Sequence, residues 1–113
     1  MASPRIQQLE KILALDPADP STHFGLGKAY GEEEQWEPSA AAYRQAIALQ
    51  PDYTAAYEGL SQALRALGRT EELRTILEEG IAVGEKTGDH IPTEKMRARL
   101  HRLNKESQGP HGA

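Results

Sequence analysis

The chain has 113 residues, 38% of them hydrophobic and 27% charged, which suits one domain or a short repeat array and not a disordered chain. A net charge of −4 argues against general nucleic-acid binding, and the absence of cysteine excludes disulfides, thiolate nucleophiles and Cys-ligated zinc. A single valine and few aromatics leave little material for a β-sheet, whereas the abundant Ala, Leu, Glu, Gln and Arg favour helix.

Six helices are predicted in chain order. The first spans about 4–15, with an apolar stripe of Ile6, Leu9, Ile12 and Leu13. Asp19-Pro20 opens the second, about 21–31, because proline costs no hydrogen bond at a first helical position. Its stripe is Leu26 and Tyr30, an i, i+4 pair. Glu37-Pro38 opens the third, about 38–49, by the same reasoning. The fourth, about 53–67, carries Leu60 and Leu64 and stops at Gly68. Thr70 is a reasonable N-cap for the fifth, about 70–86, with Glu71 and Glu72 in its first turn. The sixth, about 91–105, begins at Ile91 and continues its stripe through Met96, Leu100 and Leu103. Residues 106–113 read as a flexible tail. Residues 1–20 hold no apolar core of signal-peptide length, and no stretch approaches the ~18 apolar residues of a membrane span. These features read as a soluble cytoplasmic protein.

A repeat runs through these elements. Leu13, Ile47 and Ile81 are spaced by 34 residues, as are Leu9, Tyr43 and Leu77, and as are Ile12, Ala46 and Gly80. Pro17 and Pro51 share the same spacing. Residues 20–53 read His23-x₂-Leu26-Gly27-x₂-Tyr30, then Ser39-x₃-Tyr43-x₂-Ala46, then Pro51. Residues 54–87 read Tyr57-x₂-Leu60-Ser61-x₂-Leu64, then Leu73-x₃-Leu77-x₂-Gly80. Period and motif resemble the tetratricopeptide repeat. The second unit departs at Leu73, which replaces a small residue, and at Glu85, which replaces the closing proline, so its second helix packs more loosely or runs longer. Gly27, Ser61, Ala46 and Gly80 are small where two helices approach.

The resemblance implies an all-α, right-handed superhelical array of antiparallel helix pairs within one domain, residues 1–105. It divides into a half repeat (4–19), two full repeats (20–53 and 54–87) and a C-terminal cap helix (91–105). It also implies a protein-interaction scaffold or adaptor with no catalytic residues, cofactor or metal. The first helix of each pair lines a concave groove, which places Ser21, Phe24, Lys28 and Gly31 there, then Ala55, Glu58, Gln62 and Arg65. The expected occupant is a protein or peptide, with no small-molecule substrate, nucleic acid or membrane. A homo-oligomerising module is the alternative. In members that clamp chaperone tails, lysine and asparagine sit where this chain has Phe24, Lys28 and Gly59, so that clamp is not matched.

Other candidate chemistry reads as structural. Glu32, Glu33, Glu34 and Glu37 lack the alternation of a calcium loop and form a solvated turn, with Trp36 anchoring it to the helix pair. His23 occupies the repeat's aromatic slot, and His90, His101 and His111 are scattered. Gly25-Leu26-Gly27 lacks the strand and the Gly-Lys-Ser/Thr of a phosphate loop. The final helix concentrates Lys95, Arg97, Arg99, Arg102 and Lys105, read as the polar face of a cap.

Overall fold

A computed structural model describes residues 3–108. Among these the chain forms six helices and no strand: α1 (Pro4–Leu15), α2 (Pro20–Glu32), α3 (Trp36–Leu49), α4 (Thr54–Ala66), α5 (Thr70–Thr87) and α6 (His90–Gln108). Consecutive helices pack as antiparallel neighbours, and α4 also meets α2 and α6.

Local chemistry explains most boundaries. Ser3 caps α1, its hydroxyl accepting from the Ile6 N–H at 3.2 Å. Asp19 caps α2 through the Ser21 N–H at 2.9 Å, with Pro20 at the first helical position as expected. Pro38 differs. Helix α3 starts two residues earlier, at Trp36, and neither Gln35 before α3 nor Arg69 before α5 makes a side-chain cap bond. Thr70 therefore sits inside α5 instead of capping it.

Both helix-to-helix turns within the repeats use one left-handed residue. Gly68 has φ 73°, and the Arg69 N–H reaches back to the Leu64 carbonyl at 3.0 Å. One repeat earlier, Glu34 adopts φ 57° and the Gln35 N–H bonds the Tyr30 carbonyl at 2.9 Å. The backbone thus repeats where the residue type does not.

The core has two parts. Ile6, Leu26, Ala29 and Ala42 join α1 to the first repeat, and a larger cluster runs from Ala40 and Tyr43 through Leu60, Leu64 and Leu77 to Met96 and Leu103. Two expected core residues are not in it. Ile12 is exposed, because α1 packs mainly on α2 and buries only the Ile6–Leu9–Leu13 face. Ile91 is 73% exposed, because the face of α6 turned inward is Thr93, Met96, Leu100 and Leu103.

The second repeat departs as its sequence suggested. Helix α5 has 18 residues against 14 for α3 and stops at Gly88 (φ 75°). Gly80 and Gly84 bring α6 close: a side chain at Gly80 would meet the Met96 sulfur at 2.5 Å. Helix α6 continues to Gln108, so residues 106–108 are helix and not tail, while 109–113 lie outside the described residues. Tertiary contact holds that extra turn, with Arg74 of α5 donating to Asn104 and to Ser107, the latter at 3.1 Å. No helix among the described residues is long and apolar enough to cross a membrane.

Candidate functional site

The residues expected to line a groove lie along α2 and α4 and divide into three groups. At the helix starts, Ser21 lies beside the Tyr53 phenol, and Phe24 stacks on Tyr53 with ring centroids 5.0 Å apart. Phe24 also meets Tyr43 edge-on at 5.7 Å, and Ala55 is half-buried nearby on α4. The Phe24 ring is thus engaged by the chain's own aromatics and forms a wall.

Glu58 does not stand free. Arg99 of α6 donates to its carboxylate at 2.9 Å and to the Ser61 hydroxyl at 2.7 Å. The two ionic side chains are only 18% and 16% exposed, so the pair screens poorly and pins α6 to α4. Glu58 therefore acts on the fold first.

In the middle, Lys28 and Gln62 come together. They line a cleft of about 240 Å³ with Glu32, Trp36 and Tyr43. Tyr43 explains how the cleft forms. Its ring lies between Gly27 of α2 and Gly59 of α4, where an added Cβ would come within 2.8 Å and 2.5 Å of ring carbons. Both glycines are needed to let the ring reach between the helices. Burial first, then the charges of Glu58 and Glu32, push the Tyr43 phenol up to about 12. Ser39 closes the floor, its hydroxyl donating to the Gly27 carbonyl at 2.6 Å. Trp36, half-buried at the start of α3, sits against Gly31 as an anchor and also forms one side of the cleft.

Arg65 lies on α4 one turn beyond Gln62, at a separate cleft against α6. Sequence reasoning did not include Trp36, Tyr43 and Gly59 in the site, nor Arg99 of the last helix. The 34-residue register carried a signal for the last, since Gly31, Arg65 and Arg99 fall in one series.

Comparison with known proteins decides the family. A curated relative from Pseudomonas aeruginosa, the TPR repeat-containing protein PA0015, is 30% identical over 100 residues, covering 88% of this chain and 95% of the relative. The chain belongs to the tetratricopeptide-repeat proteins. No family model matches this repeat protein. Its fold is similar to the solution structure of BPP2914 from Bordetella parapertussis, with a TM-score of 0.83, 28% identity, and 99% and 96% of the two chains covered. It is also similar to the first TPR of Spaghetti (RPAP3) bound to the HSP90 peptide SRMEEVD, with a TM-score of 0.80, 20% identity, and coverage of 92% and 78%. Among the described residues of this TPR protein, no three His, Cys, Asp or Glu side chains are grouped to hold a metal ion.

Proposed function

We propose that this TPR protein is a binding module, not a catalyst, that holds a peptide segment of a partner protein along α2 and α4. The observation that carries this reading is the cleft where Lys28 and Gln62 converge beside Trp36 and Tyr43. It combines the half-buried Trp36 ring, the edge of the buried Tyr43, an exposed cation and an exposed amide, a set suited to one partner side chain and its backbone. The similar fold of the Spaghetti TPR, which holds a peptide, supports the same use of the groove. In this reading Ser21, Phe24, Ala55 and Glu58 flank the groove, whereas Arg65 belongs to the separate cleft against α6.

The test is selection of peptides from a displayed library on the folded protein, followed by amide chemical-shift mapping. Selected peptides are expected to perturb Lys28, Gly31, Gly59 and Gln62. Replacing Lys28 and Gln62 together by alanine is expected to weaken binding at least about tenfold without changing the helical spectrum, as both are exposed. Perturbations confined to the outer faces of α3 and α5 defeat the proposal.

Self-association is the second reading, favoured by one observation. Leu15 is 88% exposed, and Ile12 is exposed on the same open helix α1. Sedimentation over a concentration series separates the two: a monomer at all concentrations removes this reading.

A further inference from the structure

The α4–α5 turn and the last turns of α6 enclose a second cleft of about 240 Å³. It is one repeat on from the first. Arg65, Thr70 and Leu73 line it where Gly31, Trp36 and Ser39 line the first, each 34 residues earlier. The repeat thus places the cleft, and the substitutions change its chemistry.

Its apolar floor is Leu64, Leu73 and Leu103, all buried. Its rim carries four guanidinium groups, from Arg65, Arg69, Arg99 and Arg102, and one carboxylate, from Glu106. Two of the arginines are already matched: Arg69 pairs with Glu37, and Arg99 with Glu58. Among the described residues, Arg65 and Arg102 have no ion-pair or hydrogen-bond partner. Two unmatched cations facing one carboxylate leave a single excess positive charge.

We propose that this cleft binds one carboxylate carried on a short aliphatic body, with Arg65 and Arg102 gripping the carboxylate above the three leucines. Three observations select that ligand. A monoanion neutralises the excess charge, whereas a phosphate dianion overshoots it beside Glu106. The buried leucine floor favours an aliphatic group over a wholly hydrated anion. The volume lies below the roughly 300–1,000 Å³ of sites for larger ligands, so it admits a group of about one amino-acid residue. The positions aligned with the chaperone-tail clamp, Phe24, Lys28 and Gly59, line none of it. The carboxylate has two possible sources, a free aliphatic acid or the terminal residue of a peptide.

Amide chemical-shift titrations at constant ionic strength test the proposal with four probes: N-acetyl-leucine, isocaproate, N-acetyl-leucinamide and inorganic phosphate. Both acids are expected to shift Arg65, Gly68, Thr70 and Arg102 with affinities on the order of millimolar, as suits so small a ligand. Tighter N-acetyl-leucine identifies a chain terminus as the source, and tighter isocaproate a free acid. The amide and phosphate are expected to bind at least about tenfold more weakly. Arg65→Gln and Arg102→Gln are each expected to weaken the acids severalfold, and Glu106→Gln to tighten them, with unfolding curves unchanged because all three residues are exposed. Absence of shifts at these residues, equal binding of the amide, or equal binding of phosphate overturns the proposal. None of these outcomes depends on whether peptides bind at Lys28 and Gln62.

Discussion

Gly84 offers a sharp test of the packing argument, because alanine there sets two opposing effects against each other. Replacing an interior helical glycine by alanine ordinarily stabilises by about 1 kcal/mol. At Gly84 the new Cβ overlaps the Thr93 hydroxyl oxygen, and it lies 3.0 Å from Thr93 Cβ and 3.2 Å from Thr54 Cγ2. Thr93 has no room to swing away, being 2% exposed with its hydroxyl donating to the Asp89 carbonyl at 2.7 Å. Helix α6 must therefore move off α5, loosening Met96 against Gly80 as well. Overpacking of this kind costs about 3 kcal/mol at the upper end of its usual range, so the net loss is about 2 kcal/mol. For a chain of this size that corresponds to a fall in Tm of about 8 °C. Gly25→Ala is the matched control, since its Cβ meets only Leu9 side-chain carbons, at 3.5 Å and 3.7 Å. It should raise Tm by about 4 °C. Thermal and urea unfolding followed by far-ultraviolet circular dichroism read both variants. Adding Thr93→Ala to Gly84→Ala should recover part of the loss. A Gly84→Ala protein that melts at or above the parent refutes the close approach of α5 and α6.

Further outcomes follow from the same geometry. Glu34 holds the left-handed conformation that glycine takes at Gly68, so Glu34→Gly should stabilise by about 1 kcal/mol in urea unfolding; a loss of stability would contradict strain at that turn. The raised Tyr43 phenol favours the folded state fully below pH 10, and that contribution is lost as pH rises from 10 toward about 12, because the unfolded phenol ionises first. Tyr43→Phe should flatten the alkaline fall in Tm, and an unchanged fall would assign it to other groups. Arg99→Ala leaves the Glu58 carboxylate half-buried without its partner and should cost about 1–3 kcal/mol; a cost near zero would show that the pair does not anchor α6. Removing residues 90–113 should bare the α5 face that holds Met96 and cause aggregation visible by light scattering, whereas a soluble, equally stable product would show that α6 is no cap.

The sequence alone determined the helices, their order and the repeat register, because these rest on local effects. Apolar spacing at Leu26–Tyr30 and Leu60–Leu64, the Asp19-Pro20 start and the Gly68 stop all act within a turn or two of chain. The longer α5 was legible for the same reason, from the missing proline at Glu85. Lys28 and Gln62 line one cleft, as their matching positions one repeat apart suggest, because the register carries one repeat onto the next. Tertiary structure decided the rest. Whether Ile12 or Ile91 is buried depends on which neighbouring helix lies across its face, and periodicity within one helix carries no such information. The end of α6 was set by Arg74, about 30 residues upstream in sequence, reaching Asn104 and Ser107. Glu58 looked like a groove carboxylate until Arg99, 41 residues away, drew it into a half-buried ion pair. Both clefts arise where side chains from three helices meet, Tyr43 between two glycines in one and arginines of α4 and α6 in the other. A one-dimensional pattern gives the spacing of such residues along the chain, whereas their meeting depends on how closely the helices pack, which Gly27, Gly59, Gly80 and Gly84 control only once the partners are in place.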